Sequence, residues 1–297
     1  MRSSRPWSLI FVLTFATLVF PAYAPALEGQ WKVQWEPARV VNGSPVLFQV
    51  TAPASLHDVK GEFLGQDLVF RFSTVCHCWY ALAGVGLETK PGKYTLHVAG
   101  KGTGPAKASL NYAVMVGAAH YPSSTLKVAP AFVEPPKEEL ARIEADQTTK
   151  KTAFATSEPE ALWAGRFQAP AEAEVSGVFG SARVFNGVKK SQHTGLDFRV
   201  STGTPVHATN SGMVILARPL YFEGNCVTID HGQGLLTLYM HLSEIKVKEG
   251  DRVEAGQLLG LSGGTGRATA PHLHFAVRWR GEYLNPATLL ELRPPEK

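Results

Sequence analysis

His272-Leu273-His274-Phe275-Ala276-Val277-Arg278-Trp279 is the stretch from which this chain is best read. It opens on an alternation of histidine with apolar residues, the period of a β-strand, so both imidazoles project from one face ~7 Å apart. That spacing is too wide for both rings to ligate one tetrahedral zinc, with bonds of about 2.0–2.1 Å, unless the strand bends. One ring can bind metal while its neighbour stands over an open coordination position. Two imidazoles buried on an apolar strand without partners would be costly, so the pair points to a site and not to core.

Two further segments add ionisable groups. His193-Thr-Gly-Leu-Asp197 places a histidine and a carboxylate four apart. On one straight strand they would lie ~13 Å apart, too far to share an ion. Gly195 permits a turn that folds the histidine back over a strand Asp197–Val200. Tyr239-Met-His241 closes the apolar run Leu235–Tyr239, putting His241 at a strand end where it can reach a groove. Two histidines and one aspartate make the three-ligand, open-position set of a catalytic zinc site. The remaining two histidines suit proton transfer or oxyanion stabilisation.

Competing chemistries fit less well. No HExxH helix is present, and an HxHxD site would need an acid where Ala276 stands. Gly260-Leu-Ser-Gly-Gly264 matches a nucleophile elbow at Ser262, but helix-breaking glycines follow and no Asp lies beyond it. The same glycines lack the Lys-Ser/Thr pair of a phosphate loop.

The surroundings are turn-rich. With 28 Gly and 20 Pro among 297 residues, the composition favours β structure over helical bundles, and the length allows two domains, each with its own core. The formal net charge of +4 is too diffuse for a nucleic-acid partner, though compatible with an anionic wall or membrane nearby. Arg2 and Arg5 precede the apolar run Leu9–Phe20 and then small residues, the order of a secretory signal peptide. Cleavage is expected after Ala24 or, because Pro25 hinders that cut, after Ala26; an uncleaved anchor is the alternative. No Cys follows the run, which argues against a lipoprotein.

Residues 27–132 read as short alternating strands, among them Trp31–Trp35, Pro45–Val50, Leu68–Phe72 and Tyr94–Val98, broken by Asn42-Gly43, Lys60-Gly61 and Pro91-Gly92. This predicts an immunoglobulin-like β-sandwich with no catalytic cluster, since His57, His97 and His120 are scattered singly. A linker over 133–162 carries one helix after Pro135-Pro136, with Thr148–Thr152 and Ser157-Glu-Pro159 exposed. A second domain spans 163–291, and 292–297 form a tail. Three cysteines make no even framework: Cys76 and Cys78 flank His77, to be read as buried thiols or a bridge in preference to a metal site, and Cys226 stands apart.

Residues 163–291 resemble the lysostaphin-type, LytM-like zinc endopeptidases. HTGLDF, LYMHL and APHLHF occur in that family's order, framed by GTPVHAT, GDRVEAGQLLG and Leu284-Asn-Pro286. The resemblance implies a mainly β, largely antiparallel domain of duplicated hybrid motif type with a zinc groove. It places one zinc on His193, Asp197 and His274, and assigns His241 and His272 as non-ligand catalytic histidines. It also implies a secreted endopeptidase acting on peptide stems and crosslinks of bacterial peptidoglycan, a monomer in a periplasm or envelope, Gram-negative by expectation. Relatives lacking ligands act as amidase activators, so a non-catalytic regulator is the alternative; here all five positions are filled. His207 and Cys226 depart from the family pattern as packing variants, and His231 is a structural turn residue.

Overall fold

The computed structural model describes residues 31–295 apart from 54, 55, 103–106, 128, 129, 186 and 188. The expected signal peptide therefore lies outside the described residues. Among those described, no helix is long and apolar enough to cross a membrane.

The alternating segments of the first third pair into two sheets. One runs Lys32–Glu36, Pro45–Thr51, Cys78–Gly84, Arg71–Ser73; the other runs Val40–Val41, Lys107–Gly117, Gly92–Gly102, Leu56–Phe63, Gln66–Val69. Phe48 of the first meets Phe63 of the second edge-on, with ring centroids 5.1 Å apart. Leu47, Leu96, Val98 and Val114 complete the apolar layer between them. Cys76 and Cys78 form a disulfide at the turn before Cys78–Gly84, which removes the metal reading of that pair.

The C-terminal half is built on one antiparallel sheet, ordered Val175–Gly177, Gly195–Phe198, Leu273–Trp279, Leu235–Leu242, Gly224–Asp230, Gly212–Leu220, Arg252–Val253, with Glu282–Leu284 pairing Leu273–Trp279. Pro205–His207, Leu258–Leu261 and Glu244–Ile245 make a small second sheet. Leu235–Leu242 is buried along its whole length, because both of its faces are covered. Tyr239 joins the main core, whereas Leu236, Leu238 and Met240 enter a smaller cluster with Leu216, Cys226 and Ala276. Ala153 and Phe154, at the end of the linker helix, pack on that smaller cluster. Cys226 is thus a core residue, its thiol pushed up to about 12 by burial and chemically quiet.

The structure departs from the sequence reading, or adds to it, in four places. First, the two halves share one continuous apolar cluster running from Val40 to Leu292, instead of keeping separate cores. Arg71 clamps the junction: its guanidinium lies 3.9 Å from the Trp163 ring and 4.7 Å from that of Tyr80, and Nη1 donates to Trp163 O at 3.0 Å. Second, Thr148–Thr152 belongs to the helix Leu140–Ala153, with Thr148, Lys151 and Thr152 exposed as expected. Tertiary anchors extend the helix: Asp146 Oδ2 accepts from Tyr221 N at 2.7 Å, and Lys150 pairs with Glu223. Third, Ser157-Glu158, though Ser157 and Pro159 are exposed as expected, is also tethered: the buried Asp230 carboxylate accepts from Ser157 Oγ at 2.6 Å and Glu158 N at 2.8 Å. Fourth, Ser123–Leu126, within the span read as sandwich, adds a parallel strand to Ala182–Phe185, which pairs in turn with Lys189–Gln192.

Candidate metal centre

Strand register assembles the site. Asp197 and His274 occupy directly opposed positions on adjacent antiparallel strands, and Met240 is paired with His274 from the other side. Directly opposed residues hold their Cβ atoms about 4.5–5.5 Å apart, within reach of one ion. Leu196, Phe198, Leu273 and Phe275 point into the main core, so Asp197 and His274 take the opposite face. His193 arrives from the hairpin Ala182–Gln192, its backbone tied to Ser181 O at 2.9 Å and Gly180 N at 2.7 Å.

Gly195 lies in an extended strand, not in the turn expected from its sequence position. Its role is spatial: a Cβ there would press on Phe275 O and lie 2.7 Å from His274 Nε2. The glycine makes room for the imidazole.

The three candidate ligand atoms converge. Asp197 Oδ1 is 3.0 Å from His193 Nε2 and 2.8 Å from His274 Nδ1, and the two nitrogens are 3.0 Å apart. His193 Nδ1 donates to Val178 O at 2.8 Å, so the neutral ring directs an unprotonated Nε2 at the other two atoms. With at most one ring hydrogen available between the neutral imidazoles, at least one lone-pair contact stays unsatisfied. Each separation is less than twice a zinc–ligand bond of about 2.0–2.1 Å, so one divalent cation would satisfy all three. The residues fit a metal. Asp197 is held far below the usual carboxylate range: burial works to raise it, but its close contacts with His193 and His274 outweigh that.

The other two histidines stand beside this cluster. His241 has φ 63, and the pairing of its strand with Gly224–Asp230 shifts register between Asn225 and Val227. Simple alternation would put it with Thr237 and Tyr239 on the main-core side; the left-handed residue turns it to the side of the metal cluster instead. Its ring lies 6.0 Å from that of His274 and 4.8 Å from that of His272. Burial pushes His241 down to about 3, helped by the neighbouring His274 and His272. His241 Nδ1 donates to Thr265 O and His272 Nδ1 to Ala270 O, both at 2.8 Å. With Nδ1–H so committed, a neutral ring at either position keeps Nε2 free of hydrogen. That of His272 lies 3.7 Å from Asp197 Oδ1.

All five residues line one groove of about 570 Å³, together with Arg183, Glu223, Arg267 and Tyr283. Among its described lining residues only Pro122 precedes Ser176, so the sandwich contributes no described wall. Sequence reading missed Arg183, which pairs with Asp197, and Arg267, whose guanidinium lies 4.8 Å from the Phe222 ring. Neither carried a local signal, since single arginines in strands and loops are ordinary. Ser262 is buried and hydrogen-bonded to Ser201 O at 2.6 Å, outside the described lining, and no helix follows it. His231 is buried, with Nδ1 2.7 Å from Ser211 O and Nε2 2.8 Å from Thr237 Oγ1.

Residues 191–286, which hold all five histidine and aspartate positions, match the family described as peptidase family M23. Residues 191–286 thus form a domain of the peptidase family M23 type. The chain is 40% identical over 121 residues to the peptidoglycan DD-endopeptidase ShyA of Vibrio cholerae, covering 40% of this chain and 28% of that protein. It is 46% identical over 91 residues to the glycyl-glycine endopeptidase ALE-1 of Staphylococcus capitis, covering 30% of this chain and 25% of that protein. The chain thus spans about a quarter of the length of these curated relatives. A solved structure described as a putative peptidase M23 from Pseudomonas aeruginosa superimposes with a TM-score of 0.63 at 28% identity, covering 85% of this chain and 95% of that one. That likeness extends beyond the M23 domain into the preceding sandwich.

Proposed function

We propose that the protein is an exported, monomeric zinc endopeptidase that hydrolyses peptide crosslinks of bacterial peptidoglycan. The observation that carries this reading is the convergence of His193, Asp197 and His274 on one point, with His241 and His272 facing it across an open groove. The names of the relatives, a peptidoglycan DD-endopeptidase and a glycyl-glycine endopeptidase, support the substrate class.

His193, Asp197 and His274 would hold the zinc. Bound there, zinc supplies an activated water and polarises the scissile carbonyl. The groove walls orient the peptide across the cluster. His241 and His272, each with Nδ1–H committed to a backbone carbonyl, present Nε2 as proton acceptors. One of them takes the proton released during attack and returns it to the departing amine, and the other, when protonated, stabilises the oxyanion. Tyr239 takes no part, being buried behind the strand with its hydroxyl 2.9 Å from Thr209 N.

Export is supported by the Arg2/Arg5–apolar–small pattern and by the Cys76–Cys78 disulfide, which suits an oxidising compartment. A Gram-negative periplasm, with the D-Ala–diaminopimelate bond as substrate, is the preferred setting; a glycine bridge is the alternative bond. Purified zinc-loaded protein incubated with both wall types, with fragments identified by mass spectrometry, separates them. Fragments from neither wall, at full zinc occupancy, would sink the enzyme reading in favour of a non-catalytic regulator.

A further inference from the structure

The two oxygens of Asp197 have different partners. Oδ1 faces both candidate ligand histidines, while Oδ2 is paired with Arg183 Nη2. The pair is largely withdrawn from water, with side-chain exposures of 17% for Arg183 and 11% for Asp197. An ion pair so placed is costly to break from one side, because the remaining charge is stranded in a poorly solvated site. The backbone is shaped to admit it. A Cβ on Gly177 would collide with Asp197 Oδ2 and lie 2.9 Å from Arg183 Nη2.

Arg183 and His193 reach Asp197 on the same hairpin. Arg183 pairs with Ser191 in the register Ala182–Phe185 against Lys189–Gln192, and His193 N bonds Ser181 O immediately beyond it. One rigid unit therefore delivers an imidazole to Oδ1 and a guanidinium to Oδ2. The outer edge of that hairpin is closed by Ser123–Leu126, with Ala182 N donating to Pro122 O at 2.9 Å. The segment leaving the sandwich thus braces the strand that carries Arg183.

We propose that Arg183 is a positioning residue of the metal centre: it anchors Asp197 through Oδ2, so that Oδ1 alone is turned toward the two histidines. The strand Ser123–Leu126 is its support. This inference rests on His193, Asp197 and His274 being the metal site. Partners one step removed from a metal, which orient its ligands, typically account for about 10–100-fold in affinity.

The test measures zinc affinity of the full chain by competition with a chromogenic chelator, and the visible spectrum after cobalt substitution. Arg183→Met should weaken zinc about 10–100-fold and alter the cobalt spectrum. Arg183→Lys, which keeps charge without the planar fork, should recover part of the affinity. Arg252→Met, at an exposed position away from the groove, serves as the control. Circular dichroism of the chelated proteins establishes folding, and if Arg183→Met does not fold, Arg183→Lys is the deciding variant. Wild-type affinity and an unchanged cobalt spectrum in a folded Arg183 variant would overturn the proposal. A wild-type chain that binds no zinc would instead overturn the metal reading beneath it.

Discussion

His274 Nδ1 lies 2.8 Å from Asp197 Oδ1, and the two residues stand directly opposite one another on adjacent antiparallel strands. Two candidate ligands are thus set by sheet register alone, while the third is brought in by a hairpin. A one-residue slip would send both into the core, so the register that buries Leu196, Phe198, Leu273 and Phe275 also builds the site.

His274 and His272 should separate binding from turnover. His274→Ala is expected to reduce zinc from near one per chain to near zero, with affinity falling more than about 100-fold. His272→Ala should keep zinc and lower kcat by about 10²–10⁴. Metal analysis alongside hydrolysis of defined muropeptides checks both, and equal zinc loss in the two variants would contradict the division of roles.

Gly195→Ala tests the spatial role of that glycine. The added methyl would meet Phe275 O and His274 Nε2, neither able to yield without disturbing the strand or the site. A destabilisation of about 1–3 kcal/mol in urea titration is expected, together with weaker zinc binding. Unaltered stability and metal affinity would mean that the strand relaxes freely.

The buried His231 makes stability depend on pH. Burial pushes its folded value down to about 4 from an ordinary 6.5. Between these values the unfolded chain binds more protons than the folded one, so stability is complete above about pH 6.5 and declines as pH falls towards 4. The loss is of order 3 kcal/mol, from about 1.4 kcal/mol per pH unit. Urea midpoints of chelated protein across this window should fall with acidity, and His231→Gln should flatten the curve. A His231→Gln slope equal to wild type would assign the effect elsewhere, His241 being the next group displaced in the same direction.

Arg71→Ala should loosen the seam between the sandwich and the M23 domain. It removes stacking on Trp163 and Tyr80 and a hydrogen bond to Trp163 O. About 1–3 kcal/mol of stability is at stake, with zinc affinity unchanged. A broadened or two-step melt in calorimetry would reveal the halves unfolding separately, whereas an unshifted single transition would argue that the apolar contacts alone hold them.

Much of the site was legible because its signals are local. Alternation in His272–Trp279, the His193–Asp197 spacing and the end of the run at His241 are visible within single segments, and the family motifs order them. Less was legible where long-range contacts decide. His241 follows strand parity in the sequence, and only its left-handed backbone, held by His241 N bonding Glu223 O at 2.9 Å, turns it to the groove. Cys226 looked anomalous until the end of the helix was seen to pack on the cluster that buries it.

Residue types, their periods and the family motifs in the sequence therefore pointed to a mainly β chain with a His–Asp–His set and two attendant histidines. Tertiary structure alone decided that Arg183 holds the second oxygen of Asp197, that Ser123–Leu126 braces its strand, and that both halves share one core. The physical reason is range. Periodicity is written between neighbours in the chain, whereas an ion pair or a shared core joins residues whose proximity exists only after the sheets have packed.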